Sequence, residues 1–107
     1  METTRQALQS LPKVGEKYDA LHISDPEFLR FTKALSSKTR LRIIEFLKEE
    51  RLDISRLAEK LDQTEANVSA QIKILLKAKI VESEFRPGAH GIRKICSLTN
   101  NKYLLQF

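Results

Sequence analysis

A chain of 107 residues has room for one small domain, and folding would remove only about 60–65% of the surface its unfolded form exposes. Apolar residues at 41% and charged residues at 31% describe an ordinary globular protein and exclude a disordered tail. The net charge of +5 is unevenly spread: Arg5, Lys13 and Lys17 meet Glu2, Glu16, Asp19 and Asp25 before Pro26, so the basic excess lies beyond them and suits an anionic partner, nucleic acid or a membrane surface.

Met1 to Asp25 lacks the apolar stretch a secretion signal needs, and no window approaches the roughly 20 apolar residues of a membrane span. A cytoplasmic protein with no membrane partner is expected. Helical promise around Thr4 to Leu11 is weak, Pro12 breaks it, and the apolar Val14, Tyr18 and Leu21 follow. Asp25-Pro26-Glu27 then predicts a helix start, with Asp as cap, Pro at the first helical position and an acid in the first turn. Phe28, Phe31 and Leu35, at i, i+3 and i+7, give this first helix an inward face. Ser36 and Ser37 offer a second cap, and Leu41, Ile44, Phe46 and Leu47 make the apolar stripe of a second helix running to Glu50.

Asp53 can cap a short third helix over 54–61, with Leu57, Ala58 and Leu61 inward. Thr64 can cap a fourth over 65–79, in which Val68, Ile72, Leu75 and Leu76 supply the amphipathic spacing. So short a junction cannot lay two helices antiparallel over a long contact, and it suits a near-perpendicular helix-turn-helix. After Lys79 the period changes to alternation. Residues 80–85 read as a strand, Arg86-Pro87-Gly88-Ala89-His90-Gly91 as a turn and 92–98 as the returning strand. Asn100-Asn101 marks another turn, and Tyr103 to Phe107 could form a third strand or a short partner-binding tail. Cys96, the lone cysteine, excludes an intramolecular disulfide and a multi-cysteine zinc site within one chain. In its alternating run it reads as a small buried hydrophobe.

Four helices and a hairpin in this order make a mainly α fold with a small β-hairpin wing (α+β), a winged helix-turn-helix. The expected division is an N-terminal extension over 1–24, serving as a dimerisation arm, a winged domain over 25–98 and a C-terminal strand or tail over 99–107. Leu57-Ala58-Glu59-Lys60-Leu61, followed by Thr64-Glu65-Ala66-Asn67-Val68-Ser69-Ala70-Gln71-Ile72-Lys73-Ile74-Leu75, resembles the helix-turn-helix of ArsR-type repressors. Ala34 to Ile44 resembles the segment by which those proteins begin their second helix. The resemblance covers about residues 28–98 and implies a transcriptional regulator whose fourth helix reads duplex DNA.

A recognition helix must bury one face and offer short polar side chains on the other, because only a helix lying close to the base edges can bond to them. Thr64, Glu65, Asn67, Ser69, Gln71 and Lys73 lie off the apolar stripe and are the candidates. Asn67 and Gln71 could pair bidentately with adenine, while Thr64 and Lys73 suit phosphate. Around the wing turn, Arg86, His90, Arg93 and Lys94 suit backbone or minor-groove contact. Arg40 could touch phosphate or pair with an acid. This chain departs from the family pattern in two places: Asp62 and Gln63 fill a turn where glycine and an apolar residue are usual, and Ala70 stands where relatives often carry Arg or His.

Metal sensing is not carried over, because 54–61 holds no Cys or His and the two histidines, His22 and His90, are far apart; no metal and no cofactor are expected. Since one helix reads only a half-site, a homodimeric repressor is the leading expectation. A winged-helix module that binds protein is the alternative. No phosphate loop, acid pair or nucleophile beside a histidine points to an enzyme.

Overall fold

A computed structural model describes residues 19–107. The elements in chain order are β1 (Asp19–His22), α1 (Glu27–Ala34), α2 (Lys38–Glu49), β2 (Leu52–Asp53), α3 (Ile54–Leu61), α4 (Glu65–Lys77), β3 (Val81–Gly88), β4 (Gly91–Leu98) and β5 (Tyr103–Gln106). Of the expected arm, residues 1–18 lie outside this range, and with them the helical promise at Thr4 to Leu11 and the apolar Val14 and Tyr18.

Short polar side chains start three of these helices by accepting from an otherwise unpaired backbone N–H of the first turn. Ser37 Oγ accepts from Arg40 N at 3.3 Å, Asp53 Oδ1 from Arg56 N at 2.7 Å, and Thr64 Oγ1 from Asn67 N at 3.1 Å. Helix α1 differs from expectation: Pro26 precedes it with no side-chain cap, because Asp25 Oδ2 turns back to accept from His22 N at 3.2 Å.

The ends of α3 and α4 are closed in the same way. Asp62 (φ 53°, ψ 49°) and Lys79 (φ 61°) take the left-handed conformation without being glycine. In each case two N–H groups then reach back into the last turn, Asp62 N to Glu59 O and Gln63 N to Ala58 O, and Lys79 N to Leu76 O and Ile80 N to Leu75 O. This is the Schellman pattern, and it satisfies carbonyls that the helix itself cannot.

The core is built by Phe31 and Ala34 of α1, Ile43 and Leu47 of α2, Leu57, Ala58 and Leu61 of α3, and Val68, Ile72 and Leu75 of α4, closed by Leu52, Val81 and Cys96 from the sheet. The inward faces of α3 and α4 match the sequence reading. In α2 the stripe is rotated: Leu41 is exposed, and Arg40 takes the partly buried position one turn before Ile43 and Ile44. A cation can occupy that position because each of its three guanidinium nitrogens donates to an oxygen there.

Strands β3 and β4 form the antiparallel hairpin from Val81↔Leu98 to Gly88↔Gly91. Gly91 sits at φ +120°, a conformation that side chains with a Cβ rarely adopt. The short β2 joins β4 through Leu52↔Cys96 and Asp53↔Ile95, giving the order β2-β4-β3. Two residues carry no readable alternation, so β2 was not legible in the sequence. The tail is a strand, but it belongs to a different sheet: β5 pairs in parallel with β1, from Asp19↔Tyr103 to His22↔Gln106. A tilted contact between the Phe31 and Tyr103 rings, with centroids 4.8 Å apart, ties this ribbon to α1.

Candidate nucleic-acid interface

Burying Val68, Ile72 and Leu75 leaves Thr64, Glu65, Asn67, Ser69 and Lys73 exposed along the outer side of α4, with Gln71 partly buried at its flank. All six side chains proposed from the sequence therefore lie on α4 or at its cap, five of them open to solvent. The helix holds acids near its start and cations toward its end. Glu59, Asp62 and Glu65 border an open cavity of about 550 Å³ at the α3–α4 turn, where they would repel phosphate, whereas Lys73 and Lys77 follow further along α4.

Two polar chains connect this helix to α2. Arg40 donates from Nε to Ala34 O at 2.7 Å, from Nη2 to Lys33 O at 3.0 Å and from Nη1 to Gln71 Oε1 at 2.7 Å. The guanidinium thus closes the C-terminal carbonyls of α1 and clamps a side chain of α4. Alongside it, Gln63 Nε2 donates to Thr39 Oγ1 at 3.4 Å, and Asn67 Nδ2 donates to Gln63 Oε1. The turn is therefore cross-linked to α2 by side chains. Gln63 and Thr39 were not among the sequence candidates, and no local pattern could have found contacts between residues 24 and 31 positions apart.

On the wing the four basic candidates separate. His90 lies exposed at the tip. Arg86 Nη2 pairs with Glu84 Oε1 at 2.9 Å, and the same oxygen receives Arg51 at 3.2 Å. Lys94 is partly buried opposite Phe85. Arg93 binds Asp53: its Nε donates to Oδ2 at 2.8 Å and its Nη2 donates to the same oxygen. Burial alone would push the Asp53 carboxyl up, but the Arg56 N–H bond and the Arg93 guanidinium outweigh it and hold the group below its ordinary value. Asp53 is only 8% exposed, so this one side chain fixes both the start of α3 and the base of the wing.

Phe85, Pro87 and Ile92 share one face of the hairpin, since Phe85 and Pro87 alternate along β3 and Pro87 pairs with Ile92. Phe85 is 70% and Ile92 77% exposed, so this face continues the apolar side of the sheet beyond the core with nothing against it. Among the described residues no group of three or more His, Cys, Asp or Glu is placed to hold a metal ion, and no helix is long and apolar enough to cross a membrane.

Residues 35–84 match a family model for a helix-turn-helix domain, a segment running from the approach to α2 through α4 into β3. No curated protein matches the sequence. Among solved structures, the chain is similar to a homodimeric winged helix-turn-helix DNA-binding domain from Mycobacterium bovis, described as a possible ArsR-family transcriptional regulator, at 23% identity over 69% of this chain and 65% of that fragment, with a TM-score of 0.62. It is similar to M. tuberculosis Rv0081 at 27% identity over 72% of this chain and 77% of that one, with a TM-score of 0.59. The transcriptional regulator HlyU of Vibrio vulnificus matches over 94% of this chain and 85% of its own, at 18% identity and a TM-score of 0.57. Residues 35–84 therefore match a helix-turn-helix domain, and the chain has the winged helix-turn-helix fold of these solved structures.

Proposed function

We propose that the protein is a sequence-specific duplex-DNA-binding transcriptional regulator, a cytoplasmic homodimeric repressor without a metal site and not an enzyme. The carrying observation is α4 itself: a helix anchored by a buried apolar stripe, capped by Thr64 and presenting a row of short polar side chains outward. Such a helix can enter the major groove and bond base edges, while exposed cations beside it neutralise phosphate. Residues 25–98 would form the DNA-binding unit, 1–24 the dimerisation arm and 99–107 the tail. A homodimer is supported by the two-fold logic of half-sites and by the M. bovis relative, which is homodimeric. Selection from a random duplex pool tests the reading: an enriched, two-fold related site bound at low salt and released at high salt is expected. A second reading, a winged-helix module that binds protein, is favoured by the open apolar wing face at Phe85 and Ile92. Failure to retain DNA at low salt would select it.

A further inference from the structure

Arg40 and Gln71 stand 31 residues apart in sequence, yet their side chains meet at 2.7 Å on the flank of α4. A guanidinium can only donate, so the atom of Gln71 that faces Arg40 must be the carbonyl oxygen, and the amide orientation is chemically forced. Arg40 itself has little freedom to turn away, because Nε and Nη2 are bonded to the carbonyls of Ala34 and Lys33. The Gln71 NH2 is thereby turned to the side of the amide away from the Arg40 contact. A second donor approaching Oε1 would also have to approach the Arg40 cation.

We propose that Arg40 is a positioning residue that fixes Gln71 as a hydrogen-bond donor, so that α4 reads guanine, the base edge richest in acceptors, at this position rather than adenine. Bidentate pairing of a glutamine with adenine needs both a free carbonyl to accept from N6 and a free amide to donate to N7. The Gln71 carbonyl already accepts from the fixed Arg40 cation, and its second lone pair can be reached only beside that cation, which disfavours the N6 bond. Guanine presents N7 and O6 side by side as acceptors, whereas adenine sets the N6 donor beside its N7, so an amide that can only donate fits guanine best. This replaces the adenine pairing expected for Gln71 from residue type alone, and it rests on the DNA-reading function proposed above.

The experiment is duplex selection by the full chain, followed by anisotropy titration of the enriched site and of all single base-pair changes in it. The same panel is run with Gln71→Ala and with Arg40→Met, the fold of each checked by circular dichroism. Expected is one base pair per half-site where the wild type prefers guanine roughly five- to tenfold and where Gln71→Ala loses that preference. Arg40→Met should leave Gln71 free to rotate, admitting adenine at that pair without altering preference elsewhere in the site. Gln71→Glu supplies a variant that keeps the Arg40 contact but offers no donor; it should lose the guanine preference as fully as alanine does. A merely structural role for Arg40 would weaken all sites alike and leave base choice untouched. An enriched site in which the Gln71-dependent pair is adenine, or in which Arg40→Met changes affinity but not base choice, overturns the proposal while leaving DNA reading intact. No enriched site at all overturns the DNA-reading function on which it rests.

Discussion

Asp53 joins two elements that the sequence presents as unrelated. Its place as the cap of α3 was legible, since an aspartate directly before an amphipathic run is a local signal. Its hold on Arg93 was not, because the partner lies 40 residues away in a strand whose alternation says only which side a residue faces. Asp53→Ala should therefore destabilise the fold by about 1–2 kcal/mol, nearly all from the lost cap, measured by urea unfolding. The ion pair adds little beyond this, since the Arg93 side chain is half exposed and screened by water. The pH dependence has a definite sign: a carboxyl held below its ordinary value in the folded state contributes stability above the unfolded value of about 3.9, and loses it as pH falls through the folded value. Wild type should lose stability relative to Asp53→Asn as pH drops below about 4, and the two should run parallel above about 5. Cys96 is the contrasting buried residue, legible as such from its alternating run. It has no exposed surface, and burial pushes its thiol up. Its labelling by a thiol reagent at neutral pH should be governed by unfolding, so that sub-denaturing urea accelerates it in step with the unfolded fraction.

At the scale of elements, what was readable followed from locality. Helices α3 and α4 and the hairpin announce themselves through caps, spacing and a change of period within a few residues. The stripe of α2 was misplaced because Arg40, a cation, occupies a position that pattern reading reserves for an apolar side chain. Strand β5 was assigned a strand-like run but no partner, since its parallel pairing with β1 spans nearly the whole described chain. For the site, the side of α4 facing outward was legible from the apolar spacing, while the orientation of its amides depends on α2 and was not. The α3–α4 turn shows how an unusual residue can keep a usual backbone: Asp62 supplies the left-handed conformation that glycine adopts without strain, and aspartate tolerates it better than most residues. Lys79 does the same at the end of α4 with less help from its side chain. Lys79→Gly should accordingly stabilise the protein by about 0.5–1 kcal/mol and Asp62→Gly by less, whereas Asp62→Val should cost more than about 1 kcal/mol. Chemical denaturation midpoints at constant m value decide it; a destabilised Lys79→Gly would show that the lost side chain outweighs the relieved backbone.

For the whole molecule, the question is how one small domain would reach operator-level affinity. On the proposed function a single recognition helix covers one half-site, and the acids at the α3–α4 turn weaken its attraction to phosphate, so that reading calls for two copies acting together. The described surface carries apolar side chains suited to such pairing: Ile23 after β1, Leu29 on α1, and Leu105 and Phe107 of the tail are all exposed, Phe107 by 96%. The leader proposed as a dimerisation arm adds Leu8, Leu11 and Val14 to this list from sequence. Because β1 begins at Asp19 and pairs with β5, the informative truncation removes residues 1–18 and keeps the strand, so that the β1–β5 ribbon and the Phe31–Tyr103 contact stay in place. Sedimentation equilibrium should then show the full chain as a dimer and the truncated chain as a monomer, with circular dichroism unchanged. Affinity for a two-half-site duplex should fall toward that for random DNA, because the second helix no longer arrives with the first. The slope of log affinity against log salt should fall with it, by about 0.9 for each phosphate contact the lost subunit had made. A truncated chain that stays dimeric would move the interface to the exposed set around Ile23, Leu29 and Phe107, and Phe107→Asp in that background would then be the substitution that separates the subunits.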